Sequence, residues 1–270
     1  MLIKFFGCAA IFLSFANFAI SQTNAVDFSI SLADGKTVFR KGEPVRVVLS
    51  FVINQPNYKI RMNGGDKVNI SPKEGVFDWK EQQNKVWFVT DHVFSFLTEY
   101  KNPTNITISL NDFVRFDKVG KYSVNISTTR VYFSEPSDKK RFGDKTQQPA
   151  LTSNSVDFEI KEMTQAEEKE EILRISKLID LEKDYWKKAK LGQEFSFLAG
   201  EAATIEKVKL FLSPSAQNPN LSQYINNGLY LSSHKDLAVK LLEDAFNDLN
   251  REVKLDLIFM ILELKRMAKS

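Results

Sequence analysis

The hydrophobic pattern of the chain changes its period once, close to Met163, and this change limits the folds that the sequence can form. Before it, apolar and polar residues alternate, as in Val26–Leu32, which is typical of strands with one buried face. After it, apolar residues recur at helical spacing, as in Ile172, Ile175, Leu178 and Ile179, which form one apolar stripe. The sequence therefore predicts an all-β domain followed by an all-α domain.

Short runs with strand character fill the first part of the chain, and turn residues such as Asp34-Gly35 and Asn63-Gly-Gly65 separate them. No helical pattern lies between these runs, which disfavours a parallel sheet with helical crossovers. An antiparallel sandwich is the fold class that such a pattern favours. The predicted strands cover residues 26–32, 37–40, 45–53, 58–62, 68–70, 86–90, 93–97, 105–110, 113–116, 122–133 and 156–160.

The helical part opens with a capping box, because Thr164 and Glu167 have the spacing at which each side chain satisfies a free backbone N–H of the other. We expect Trp186 to pack the first helix onto its neighbours. Leu255–Leu262 is apolar on nearly all sides, so that earlier helices or a partner should cover it. Helices after the first are predicted over residues 200–212, 221–231, 235–249 and 252–269.

The N-terminus has the three parts of a secretory signal peptide. Lys4 is followed by an apolar run over residues 5–20, and Ala19 and Ser21 place small residues where a signal peptidase cuts. The run is shorter than the roughly 20 residues that span a bilayer. We therefore expect residues 1–21 to be removed; an uncleaved membrane anchor is the alternative.

Cys8, the only cysteine of the chain, lies in this signal. Without it the mature protein has no disulfide, so that its hydrophobic core alone must stabilise it. An exported chain without cysteine fits a bacterial source, and we expect a periplasmic, cell-surface or extracellular protein with no membrane span after cleavage. The predicted domains are residues 22–161 and 162–270.

Two local patterns resemble known families. The segment from Asp117 through Gly120 and Tyr122 to Ile126 resembles the tyrosine-corner strand of bacterial immunoglobulin-like and macroglobulin-type modules, and residues 39–49 resemble an early strand of the same modules. The resemblance implies that Tyr122 packs its ring in the core and donates its hydroxyl to a backbone carbonyl. The sequence departs from the immunoglobulin pattern at Val124, which replaces a cysteine.

The second pattern lies near the C-terminus, where Leu241-Leu242, Asp248 and Val253-Lys254 precede the apolar pair Leu257-Ile258. It resembles the joint of a HEAT repeat, with Lys254 in place of the usual arginine. One good copy is present, which leaves two interpretations open: a small helical hairpin domain, or the beginning of a longer repeat array.

Few residues could carry catalysis. The mature chain has no cysteine, and we interpret His92 and His234 as structural or surface residues. No zinc-ligand spacing or phosphate-binding glycine motif occurs, so we expect no metal and no cofactor. Two acidic pairs, Asp112 with Asp117 and Asp78 with Glu81, could in principle supply the two carboxylates of a glycosidase. With 34 acidic residues in the chain, however, such pairs arise by chance. A dispersed net charge of +3 disfavours nucleic-acid binding.

These exclusions favour a non-enzymatic binding or scaffolding protein of the bacterial envelope, with a protein partner. The alternative is a carbohydrate-binding or carbohydrate-processing accessory protein that uses exposed aromatic residues of the sandwich. Trp79, next to the turn at Gly75, is the candidate binding residue for that role.

Overall fold

The alternating N-terminal part of the chain folds into strands, and the part with helical periodicity folds into helices. These features come from a computed structural model that describes residues 25–62, 65–78, 103–133, 150–213, 219–248 and 255–268. The predicted order of the two structural types is therefore confirmed. The predicted strands at 86–90 and 93–97 lie outside the described residues, as does the predicted signal peptide.

Twelve strands occur in the described part of the β region. Their bounds are β1 Val26–Leu32, β2 Val38–Arg40, β3 Arg46–Ile53, β4 Tyr58–Ile60, β5 Asp66–Ser71, β6 Val76–Asp78, β7 Thr104–Ser109, β8 Val114–Phe116, β9 Gly120–Thr128, β10 Val131–Phe133, β11 Leu151–Thr152 and β12 Val156–Lys161. Short 3-10 helices occupy Ala33–Gly35 and Leu110–Asp112.

Two sheets account for most of the strand pairing. In the first, β3 lies between β1 and β7, antiparallel to both. In the second, β9 pairs antiparallel with β5 along one edge and with β11 and β12 along the other, and β2 adds to β12 in parallel. The short pairs β4–β10 and β6–β8 complete the pairing in the described residues.

The two larger sheets contribute to one hydrophobic core. Alternate residues of the central strands β3 and β9 point into it, as the period-2 pattern predicts. Three aromatic rings pack together in this core. The ring centroids of Phe116 and Tyr122 are 5.1 Å apart, and those of Phe116 and Phe158 are 5.5 Å apart. The buried apolar residues of the two central strands are Val47, Leu49, Phe51, Tyr122, Val124 and Ile126.

Tyr122 anchors the start of β9. Its ring is buried in the core, and its hydroxyl donates a 2.8 Å hydrogen bond to the backbone carbonyl of Lys118, four residues upstream. This is the interaction that the tyrosine-corner resemblance implies. Because the carbonyl belongs to the turn before the strand, the bond fixes the turn to the core.

A buried ion pair interrupts the long strand predicted over residues 122–133. Arg130 lies between β9 and β10, and its side chain turns inward to bind both carboxylate oxygens of Asp66, at 2.9 Å from its Nε. Thr128 donates a further hydrogen bond of 2.7 Å to the same carboxylate. The guanidinium also donates to the carbonyls of Arg61 and Met62. A buried charge needs this degree of compensation, which explains why the ladder breaks here.

Six helices occur in the described part of the helical region. They are α1 Gln165–Leu181, α2 Tyr185–Phe197, α3 Glu201–Leu212, α4 Pro219–Tyr230, α5 Lys235–Phe246 and α6 Leu255–Ala268. The capping box is confirmed, since Thr164 Oγ1 accepts from the Glu167 N–H and the Glu167 carboxylate accepts from the Thr164 N–H. No helix in the described ranges is long and apolar enough to span a membrane.

The structure corrects the sequence prediction at α2, a helix that was not anticipated. Asp184 caps this helix, because its side chain accepts a 2.9 Å hydrogen bond from the Lys187 N–H. Trp186 lies in the first turn and is 59% exposed. The expectation that Trp186 packs the first helix onto its neighbours is therefore wrong.

Polar contacts join the β region to the helical region. Arg46 of β3 forms an ion pair with Glu194 of α2, and Asp112 accepts a 2.5 Å hydrogen bond from Gln193 of the same helix. Arg40 of β2 forms a 2.7 Å ion pair with Glu167 at the start of α1. These contacts place the first two helices against the ends of the strands.

We predict that Asp66→Asn lowers the free energy of unfolding by roughly 3 kcal/mol, because it leaves the buried Arg130 guanidinium without its counter-charge. Glu74→Gln is the matched control, since it removes an ion pair with Lys118 that lies in solvent, and its effect should be small. Urea unfolding of the two variants and the wild type measures both effects. Equal losses of unfolding free energy in the two variants would contradict the conclusion that burial makes the Asp66–Arg130 ion pair important for stability.

Candidate interaction groove between the first two helices

The residues that the sequence singled out for chemistry do not meet in one site. Trp79, Glu81 and His92 lie outside the described residues. Asp112 bonds Gln193, whereas Asp117 accepts two hydrogen bonds from Arg115. The described ranges contain no group of three or more histidine, cysteine, aspartate and glutamate side chains arranged to hold a metal ion.

A different surface stands out, on the outer side of α1 and α2. Helix α1 buries Ile172, Ile175 and Ile179 against the other helices, as its 3.6-residue period predicts. Leu173 and Leu181 remain exposed. Leu178, which the sequence assigns to the apolar stripe, is instead 39% exposed and lines a cavity, so that the prediction is wrong at this position. Helix α1 is thus more apolar than its packing within the chain requires.

The cavity between α1 and α2 has a volume of about 400 Å³. We call it the α1–α2 groove. Three leucines supply its apolar surface, and two lysines and two glutamates supply its charged surface. Its lining residues are Leu178, Leu181 and Glu182 from the end of α1, and Lys187, Lys190, Leu191 and Glu194 from α2.

Two aromatic residues immediately precede Lys187, the first residue of α2 that lines the groove. Tyr185 and Trp186 open α2, and their ring centroids are 5.3 Å apart with the rings perpendicular. Both side chains are exposed. Perpendicular packing is a favourable arrangement of an aromatic pair, and the exposed parts of the two rings add apolar surface at the start of α2.

Glu194 links the groove to the β region. Its side chain lines the groove and also forms the ion pair with Arg46, with most of the glutamate side chain shielded from solvent. The next residue upstream, Gln193, bonds Asp112 in the 3-10 helix after β7. The wall of the groove that α2 provides is therefore attached to the strands at two successive residues.

A buried lysine fixes α2 from the opposite side. The side chain of Lys207, from α3, is fully buried, and its ammonium donates to the carbonyls of Ser196, Leu198 and Gly228. The first two belong to the end of α2 and the third to the last turn of α4, where helical carbonyls have no partner within the helix. Lys207 therefore caps two helices at once. A Cβ at Gly228 would lie 2.9 Å from the Lys207 Cε, which explains the glycine there.

Burial changes the acid–base behaviour of this lysine. Loss of hydration lowers the pKa of Lys207 from 10.5 to about 7, while the negative charge of Glu168 opposes the change.

Two more basic side chains approach the end of α4: Arg115 donates to the Leu231 carbonyl at 2.6 Å, and Lys235 donates to the Ser232 carbonyl at 3.0 Å. Cations are favourable there, because the helix dipole is negative at its C-terminus.

The groove therefore combines an apolar surface with charges of both signs, and exposed aromatic rings lie at the start of the helix that forms one wall. Such a surface can bind an apolar stripe with charged flanks, as an amphipathic helix presents. The sequence signals for it were Asp184 as a helix cap and Leu173 and Leu181 outside the buried stripe of α1. No protein-family model matches the chain, and no curated protein matches it.

We predict that Lys207→Met lowers the free energy of unfolding by roughly 2 kcal/mol at neutral pH, because three buried carbonyls lose their donor. The difference should also depend on pH. Between pH 7 and 10.5 the folded protein has released the Lys207 proton and the unfolded chain has not, so the wild type gains stability as pH rises.

Urea unfolding from pH 7 to pH 10 tests this prediction. The advantage of the wild type over Lys207→Met should grow along the series. The control is Lys209→Met, on the same helix but exposed, whose difference from the wild type should stay constant. Parallel curves for Lys207→Met and the wild type would contradict the assignment of the lowered pKa to this residue.

Proposed function

We propose that the protein is an exported, non-enzymatic binding or scaffolding protein of the bacterial envelope and that the α1–α2 groove holds a partner protein. The observation that carries this proposal is the exposed apolar surface of Leu178 and Leu181, which line a cavity of about 400 Å³, together with the exposed Trp186 in the first turn of the helix that forms the other wall. Exposed apolar surface next to a preformed groove is typical of interaction sites.

We further propose an immunoglobulin-like sandwich for the β region and a HEAT-like arrangement for the helical region. The Tyr122 hydroxyl bond to the Lys118 carbonyl supports the first assignment. The packing of α5 with α6 in one hydrophobic cluster supports the second. Both architectures commonly serve recognition, which agrees with a binding role but does not define a ligand.

The partner segment that suits the groove is an amphipathic helix. Its apolar side chains would contact Leu178, Leu181 and Leu191, and its charged flanks would meet lysines and glutamates of opposite sign. Trp186 would cover one end of such a helix. Aromatic residues at an interface contribute strongly to affinity, because they bury a large area and lose little side-chain entropy.

The test places a photo-activatable cross-linker at Tyr185 and adds the mature protein to envelope extract. We expect one or a few specific cross-linked products, which Leu181→Ser combined with Trp186→Ala should reduce about tenfold or more. The control variant is Val119→Ser, which removes an exposed apolar side chain from the β region. It should leave the products unchanged.

Circular dichroism must show that the groove variant remains folded, which we expect because both altered side chains are exposed. Products that persist at wild-type levels in the folded groove variant would refute the groove as the binding surface. An absence of any specific product with the wild type would refute the protein-partner proposal itself.

The exposed Tyr185–Trp186 pair also supports the alternative of carbohydrate binding, because stacked and perpendicular aromatic rings offer flat apolar faces to sugar rings. Tryptophan fluorescence titrated with cell-wall and plant polysaccharides distinguishes the two roles. A sugar site at this pair predicts a saturable quench that Trp186→Phe removes. A site at Trp79 predicts a quench that Trp79→Phe removes instead, and the absence of any quench refutes both sites.

A further inference from the structure

The last helix, α6, has two apolar faces, and the chain covers one of them. The covered face packs against α3, α4 and α5 in one cluster, to which α6 contributes Leu257, Met260, Ile261 and Leu264. The opposite face carries Leu255, Phe259 and Leu262, which are 71%, 63% and 57% exposed. We call these three residues the α6 stripe. Their spacing of four and three residues aligns them along the helix.

The stripe does not help the chain to fold, because its side chains remain in solvent. Three large apolar side chains in a row form a patch of a few hundred Å², the size at which surface patches mark interaction sites. The α1–α2 groove does not explain the stripe, since no residue of α6 lines it. The α6 stripe therefore needs a binding partner of its own.

The charges around the stripe indicate what that partner is. Asp256 lies in the first turn of α6 and Arg266 in the last turn, so that the helix is acidic at its start and basic at its end. Asp256 borders the stripe three residues before Phe259, and Arg266 continues it four residues after Leu262. An antiparallel second copy of the same helix would bring each acidic end to a basic end.

A two-fold axis between Phe259 and Leu262 satisfies the apolar contacts as well. It places Phe259 of one copy opposite Leu262 of the other, and Leu255 against the aliphatic part of Arg266. Every contact then occurs twice, as in other isologous interfaces. Antiparallel helices also align their dipoles favourably.

We propose that the protein forms a dimer through antiparallel pairing of the α6 stripe with the same stripe of a second copy, with Asp256 of each copy paired to Arg266 of the other. The interface is smaller than the roughly 800 Å² per partner of a standard stable complex. Dimerisation is therefore weak, with a dissociation constant in the micromolar range.

Sedimentation equilibrium of the mature wild-type protein, from about 1 to 200 µM, tests the dimer. We expect a monomer–dimer equilibrium with a midpoint in this range. Phe259→Asp should yield a monomer throughout, because it places a charge at the centre of the apolar contact. Trp186→Ala, at the start of α2, should dimerise like the wild type, which separates this interface from the proposed function.

Charge reversal tests the antiparallel register. Asp256→Arg and Arg266→Asp should each weaken the dimer about tenfold, since each places like charges opposite one another. The variant with both changes should recover wild-type affinity. Glu263→Gln is the control for the loss of the Arg266–Glu263 ion pair within the helix and should have little effect.

The proposal fails in three ways that are easy to recognise. A wild type that stays monomeric to the highest concentration overturns the dimer and leaves the stripe to a different protein. A dimer that survives Phe259→Asp, with circular dichroism showing a folded variant, overturns the interface. A double charge-reversal variant that is no stronger than the single variants overturns the antiparallel pairing.

Discussion

The helical region depends on the buried ammonium of Lys207. Its three hydrogen bonds join the ends of α2 and α4, two helices that otherwise leave carbonyls without partners. Fixing α2 also fixes Gln193 and Glu194, which bond Asp112 and Arg46 in the β region. Lys207 therefore helps to hold the α2 wall of the groove and the contacts that α2 makes with the β region. The lowered pKa of Lys207 reflects the free energy that removing its ammonium from water costs.

A second buried charge plays a similar part in the β region. Arg130 holds Asp66 and also donates to carbonyls in the chain segment after β4, where no ladder supplies partners. In both regions, buried cations bind backbone carbonyls at points where regular secondary structure ends. Each cation is costly to bury, and removal of its partners is more costly still. We infer that these two groups select one arrangement of the segments that they join.

Within the described residues the sequence predicted most strands and most helices, because both arise from local apolar periodicity, but it missed the short strands β6 and β11. It failed at α2, whose buried positions include Ala189, Gly192 and Ser196, small residues that give no hydrophobic signal. It also gave no signal at Lys207, because a lysine that alternates with other charged residues in a helix normally indicates a face in solvent. Only the convergence of α2, α3 and α4 makes that position interior. The groove was missed for the same reason, since its two walls belong to different helices.

The exposed apolar residues of α1 and α6 have a different status from the core. The core residues of each region are explained by folding, because their burial removes apolar area from water. Leu181, Trp186 and Phe259 remain in water and lower solubility without stabilising the chain. They lie on helices whose opposite faces are packed in the hydrophobic clusters of the helical region. A surface whose helix is already packed within the chain loses less entropy on binding, which supports the proposal that both surfaces serve recognition.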